Sequence, residues 1–440
     1  MATPRSPGRP LPHRDAPGPG RTRRTRRAQG PVRACALVCL LLVLAACGRP
    51  ELAAPADARP LDDPPSPALA VDAGRIPGVL GDRGLWTSPY SSEPKATDDG
   101  FVGLVAGDEG GDLRFLGVDA RGHTRWSTAR NPSCTGFTTT RDDRGDDLVV
   151  LLDSDAAPER GLLAATVTAA AYDPSTGRRV WGPTEVPGTW VGPGLVFARV
   201  SHTVMNEETG PKVALAAGTG AVAADEQDGD AILHEYQGTL LVHRDGGLRA
   251  IDTSSGEQLW RGSELPVPAS LAEEAGETTL TYGHRPASDS AGLLTLRWER
   301  GGAAVYTVHD IRDGRPLAEL SSRTEPVTVG DGSGRTVVSG TSAETGAPVL
   351  LGRRGPSQDG LWSVEARPGE RPVRLVGGLL YTTAGDGNRV LSMADGRTLE
   401  EGTWGIPVAG PERGPVLVEA VDGDGDGAYV AVDRSATEHG

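Results

Sequence analysis

The sequence predicts an all-β fold, a β-propeller of eight blades. Three observations carry this. A hairpin-like motif recurs along the 440 residues. Its spacing averages about 45 residues, the period of a blade of short strands and not of a helical repeat, which would show apolar residues every 3.6 positions. The composition suits a chain of turns, with 61 Gly, 35 Pro and only 4% aromatic residues.

The motif is clearest in AYDPSTGRRVW (171–181) and AIDTSSGEQLW (250–260). Each runs apolar residue, Asp, small polar residues, Gly, two polar residues, apolar residue, Trp. Gly177 and Gly256, four positions after Asp173 and Asp252, can take a positive φ without Cβ strain, as a short bulged hairpin requires. The Asp carboxylates are placed to accept turn amides two residues on. Trp181 and Trp260 are large apolar bodies suited to the wedge between two sheets.

Looser copies are GVDARGHTRW (117–126), TVHDIRDGRPL (307–317) and VAVDRSATEHG (430–440). ALAAGTGAV (214–222), GTSAETGAPVL (340–350) and LSMADGRTL (391–399) lack the leading Asp. The markers are then Gly122, Gly177, Gly220, Gly256, Gly314, Gly346 and Gly396, with Thr437 in the last place. QDGLW (358–362) is an alternative sixth hairpin, and seven blades the alternative count. The last copy ends at Gly440 without its Trp strand, whereas Gly84-Leu85-Trp86 looks like a closing half without its opening. Leu85-Trp86 is therefore expected to supply the outer strand of the last four-stranded antiparallel blade, pairing near 429–434 and leaving no open edge between first and last blades.

The pattern apolar–Asp–x–x–Thr/Ser–Gly–x–x–apolar–Trp resembles the repeat of the PQQ-like, quinoprotein-type β-propeller superfamily over residues 84–440. The superfamily includes quinone-dependent dehydrogenases and lipoproteins without quinone, one of them the lipoprotein subunit of the outer-membrane barrel-assembly machine. Fold kinship alone does not choose between these.

Residues 1–33 hold nine Arg and one acid, and 34–46 (ACALVCLLLVLAA) are apolar. Thirteen residues are too few to span a bilayer and suit a signal-peptide core. Leu44-Ala45-Ala46-Cys47 resembles the bacterial lipobox, which implies cleavage before Cys47 and a diacylglyceryl group on its thiol. Two acyl chains anchor firmly where one does not. The expected organisation is a signal peptide over 1–46, a lipidated Cys47 with a Pro/Ala-rich, poorly ordered tether over 47–83, and a propeller over 84–440.

The whole chain has 44 basic and 59 acidic side chains; removing nine Arg and Asp15 with residues 1–46 leaves 35 and 58, a net charge of −23. Such a domain repels nucleic acid and anionic headgroups. Cys35 and Cys39 leave with the signal and Cys47 is acylated, so Cys134 stands alone, without an intrachain disulfide and expected as a small buried residue.

Candidate chemistry is sparse. Asp422-Gly-Asp424-Gly-Asp426-Gly matches the first half of a calcium loop, with Asp433 at its twelfth position. An EF-hand has Glu there and flanking helices, and the ninth position is Val430, so a plain turn is the competing reading and any calcium would be structural. Gly218-Thr-Gly220-Ala-Val-Ala223 mimics a dinucleotide loop but falls at a blade hairpin. A quinoprotein would be expected to carry adjacent cysteines, and the chain has no Cys-Cys pair and no CxxCH. His123 and His309 are expected at solvated hairpins, and no HExxH or GxSxG occurs. The reading is a monomeric, lipid-anchored, extracytoplasmic propeller with no catalytic residues and no cofactor. It binds or scaffolds a protein, peptide or glycan. A propeller enzyme, either a vestigial quinoprotein or a glycan-active protein, is the alternative.

Overall fold

The computed structural model describes residues 57–434 apart from 106–112, 132–135, 156–165, 203–206, 356–360, 386 and 422–426. Their strands form eight antiparallel sheets in chain order, each built outward from the ring axis: blade I (95–130), II (137–186), III (189–225), IV (231–261), V (278–321), VI (327–365), VII (371–402) and VIII. No α-helix occurs among the described residues. Blade VIII consists of Val416–Val421, Gly427–Arg434 and the N-terminal strand Leu80–Thr87, its innermost rung being an isolated bridge between Ala409 and Leu417. Gly84 pairs with Val432, Trp86 with Ala431 and Thr87 with Val430. The first strand of the ring thus closes the last blade, as Leu85-Trp86 predicts.

All seven marker glycines have positive φ, from 69° to 87°. Asp173 Oδ1 accepts the amides of Ser175 and Thr176, and Asp252 Oδ1 those of Ser254 and Ser255. Six of the glycines turn the third strand of a blade into the outer one; Gly346 does not. It joins Thr336–Thr341 to Pro348–Arg353, the second and third strands of blade VI. The motif misleads there because the local chemistry is the same: Gly346 N–H donates to Ser342 O at 3.0 Å, as Gly177 N–H does to Asp173 O at 2.8 Å. The connection to the outer strand Trp362–Glu365 runs through QDGLW, whose residues 358–360 lie outside the described ones.

Outer-strand tryptophans bind five of the blades to the next. Trp126, Trp181, Trp260 and Trp362 stand on outer strands and donate their indole N–H to carbonyls of the following blade: Pro174, Ala217, Ile311 and Met393. Each acceptor lies three residues before a marker glycine, and the ring packs on that glycine at Gly177, Gly220, Gly314 and Gly396. Trp86 packs likewise on Gly122. The residue directly opposite each indole in its own blade is small: Ala431, Gly117, Ala171, Ala250 and Gly352. Five of eight junctions therefore carry an indole clasp. In the same register the other three outer strands have Ala224, Ala318 and Glu400, opposite Ala214, Val308 and Val390.

The expected free tether over 47–83 is corrected for residues 57–83. Arg59–Asp63 adds a fifth strand to blade I, pairing with its outer strand Thr124–Arg130. Pro60 is tolerated because an edge strand needs no donor on its outer side. Further on, Glu400 accepts the amides of Gly78 and Val79 at 2.8 and 2.9 Å, and Ile76, 7% exposed, joins the apolar cluster of blades VII and VIII. The Pro/Ala composition marks this segment as extended, but pairing and burial hold it to the ring.

Candidate functional site

A propeller brings residues from all its blades together only at its axis. Strand direction alternates, so the inner-to-second and third-to-outer turns share one face. On that face two arginines stand among carboxylates from different blades. Arg141 of blade II faces Asp98 of blade I at 2.5 Å and Asp147 at 3.0 Å. Arg335 of blade VI faces Asp331 at 3.3 Å and Glu412 of blade VIII at 2.7 Å. These groups line a cavity of about 50 Å³, room for a few waters. Burial raises Asp147 to about 6 even with Arg141 beside it. Deeper in, Arg353 and Asp310 pair at 2.7 Å, both nearly inaccessible.

Below this mouth the axis is crossed by residues 283–292, the connection between the inner and second strands of blade V. Blades I and V are opposite in a ring of eight, yet Asp289 pairs with Lys95 of blade I. Asp289 O accepts Gly194 N–H of blade III at 2.9 Å, and Arg285 donates to Val191 O. Ala287 N–H donates to Thr328 O of blade VI at 2.8 Å. The Lys95 ammonium also lies 5.6 Å from the Phe137 ring centroid and 5.3 Å from that of Trp190, a cation held over two faces. Sequence reading missed this plug. Its only signal was a ten-residue segment, GHRPASDSAG, too long for a hairpin between two strand-like runs.

Two buried histidines near the axis are hydrogen-bonded through both ring nitrogens. His234 is inaccessible; its Nε2 donates to Ala291 O of the plug and its Nδ1 accepts from Tyr282 Oη, both at 2.9 Å. Burial lowers it to about 4, so it is neutral. His309, expected to be solvated, is buried: Nδ1 donates to Gly314 O at 2.7 Å and Nε2 accepts from Thr307 Oγ1 at 2.6 Å. It sits on the inward face of its strand, so being near a hairpin does not expose it. His123 lies half-buried, 3.8 Å from Asp62.

Glu235 is inaccessible and accepts the amides of Leu195 at 2.6 Å and Gly238 at 2.9 Å. Burial outweighs those two donors and raises it to about 7. Its folded pKa thus exceeds its unfolded one, so the stability it contributes is full below about pH 4.5 and is lost as pH rises through 7. Glu235→Gln is expected to remove a change of roughly 3 kcal/mol at most between pH 5 and 8. Denaturant titrations of both proteins at the two pH values check this; parallel pH dependence in the two would contradict it.

Cys47, Cys134, Asp422, Asp424 and Asp426 lie outside the described residues. Asp433 is carried by the strand Gly427–Arg434, about 20 Å along it from Gly427, and its Oδ1 accepts the amide of Arg434. Gly218–Ala223 forms a hairpin turn with Gly220 against Trp181, and it leads into the strand Val222–Asp225 where a dinucleotide loop would open an α-helix.

The fold and the filled axis define an eight-bladed β-propeller whose accessible surface is its faces and rim. Among solved structures the chain is similar to BamB from Moraxella catarrhalis, at 15% identity over 83% of this chain and 100% of that one, with a TM-score of 0.32. It is also similar to a europium-containing methanol dehydrogenase, at 11% identity, 80% and 84% coverage and a TM-score of 0.31. A third is the computationally designed Ika8 protein, at 12% identity, 80% and 98% coverage and a TM-score of 0.33. No protein-family model and no curated protein matches the chain.

Proposed function

We propose that the chain is a non-catalytic binding module, a propeller held at the extracytoplasmic face of the cell membrane by lipid on Cys47, and that it takes a protein partner. The observation that carries the non-catalytic reading is the plug. With Lys95 paired to Asp289 across the axis, the place where side chains from all blades converge is filled by the protein's own loop. Both ring nitrogens of His234, which bonds the plug, and of His309 are hydrogen-bonded. General acid–base chemistry needs a titratable group within reach of a substrate. Binding on the rim or a face needs none. A fixed ring also presents its surface without the ordering cost that a flexible one would meet.

The test is crosslinking of the lipidated protein in its native membrane followed by mass spectrometry, with Cys47→Ala as the unanchored control. Reproducible capture of one or two proteins, lost in the control, is the expected result. Capture no different from background would overturn the module reading. Equal capture by the control would overturn the anchor.

A further inference from the structure

We infer that the outer edge of blade I is a docking edge for an extended acidic segment of a partner protein, held in cis by Arg59–Asp63 until the partner displaces it. The inference rests on the binding-module reading and gives it a location. The N-terminal segment is held to the ring in two unequal parts. From Ile76 on it is fixed: Ile76, Pro77 and Leu80 are buried, and Glu400 accepts the amides of Gly78 and Val79. From Asp57 to Ala70 no residue is buried. Arg59–Asp63 is held by edge pairing and by exposed charges: Asp62 lies 2.8 Å from Arg125 and 3.8 Å from His123, and Asp57 just before it lies 3.6 Å from Arg179 of blade II. Exposed ion pairs of this kind contribute little. This part is therefore a low-stability unit that can leave while the ring stays shut.

The cis strand also fits its edge imperfectly. Arg59 pairs with Ser127, Pro60 with Trp126 and Asp63 with Thr124, and the register shifts between Pro60 and Asp63. Pro60 has no N–H to donate. A strand without the proline and the shift would run a continuous ladder past Thr124–Ser127, and main-chain bonds of that kind give affinity to peptides that add to a sheet edge. Charge selects the occupant. The domain is acidic overall, but charges beyond about 8 Å are screened at physiological ionic strength. The local cations Arg125 and Arg179 therefore decide, and they already take the carboxylates of Asp62 and Asp57. The cis strand is thus the template for its own competitor. Displacement has a consequence for an anchored chain. Ten residues separate Cys47 from Asp57, and nineteen separate it from Ser66, which is bridged to Thr87. At about 3.5 Å per extended residue, release lengthens the reach from a lipidated Cys47 from about 35 Å to about 65 Å.

The probe is the peptide fluorescein-Asp-Ala-Arg-Val-Leu-Asp-Asp-amide, residues 57–63 with valine for the proline, read by anisotropy against the full chain. The control peptide has Lys in place of each Asp. Asp57→Arg with Asp62→Arg in the chain sets the cis strand against its two cations. It should free the edge and tighten probe binding at least tenfold, because apparent affinity scales with the fraction of sites open. Adding Arg125→Glu, another exposed position, should reverse that gain. Hydrogen exchange on the unaltered chain needs no variant: excess probe should speed exchange of the Leu61–Asp63 amides at least tenfold, the valine separating probe fragments from chain fragments by mass. Equal binding by the wild type and the double variant, equal binding of the acidic and lysine peptides, or unchanged exchange would each overturn the docking edge. A wild-type chain that is dimeric by light scattering and made monomeric by the double substitution would assign the edge to a second copy and overturn the partner. If anchor-dependent crosslinks persist while the probe fails, the edge falls and the module reading stands. If the probe binds but no crosslinks form, the reverse holds.

Discussion

Trp126→Ala is expected to lower the unfolding free energy by about 3–5 kcal/mol, the range for emptying a large buried aromatic site. Trp126 is wholly inaccessible, its indole N–H donates to Pro174 O at 2.7 Å, and its ring lies against Gly117 in its own blade and Gly177 in the next. Removal opens a cavity at a blade junction and strips a carbonyl of its donor. The receiving side gives a matched test. Gly177 and Gly256 have φ of 69° and 72° in the same turn. A Cβ on Gly177 would lie 2.6 Å from Trp126 Cγ and 2.7 Å from Ala58 Cβ, while one on Gly256 meets nothing within 4 Å. Gly256→Ala should therefore cost only the left-handed backbone term, about 1–2 kcal/mol. Gly177→Ala should cost that plus displacement of the indole. Thermal and urea unfolding of the three variants would check the order; equal losses for the two glycines would remove the clasp from the account.

Much of this ring is legible because the repeat is local. Asp173, Gly177 and Trp181 lie within nine residues, and the turn, the strand and the wedge follow from them without knowledge of anything distant. Closure was readable for the same reason, since Leu85-Trp86 is half of a local motif. What the sequence hides is what depends on distance. Nothing near Asp289 announces Lys95, 194 positions away and across the axis. Gly78 and Val79 look like tether until Glu400 is placed beside them, over 320 positions on. Gly346 fails differently, because a hairpin has the same chemistry wherever it falls in a blade.

Arg389→Met is expected to cost about 3–5 kcal/mol, because it leaves an uncompensated buried carboxylate. Glu370 is among the least accessible acids of the ring. Its Oε1 accepts Arg389 Nε at 2.8 Å and its Oε2 accepts Nη2 at 2.7 Å, a two-point grip. Thr382 Oγ1 and the Arg367 amide supply two further donors. Those neutral donors survive the substitution but carry no net charge, so they offset only part of the lost cation. Glu370 lies on the connection that hands blade VI to blade VII, whereas Arg389 and Thr382 lie on the third and second strands of blade VII. The pair fixes that connection against its sheet. Arg389→Met with Glu370→Leu removes both charges and should recover most of the loss, since an apolar pair of similar volume replaces a buried ion pair at little cost. A double-mutant cycle on unfolding free energy separates the alternatives. A coupling energy of several kcal/mol places the pair among the constraints on the ring; additive losses would mean that Glu370 is held by Thr382 and the Arg367 amide alone.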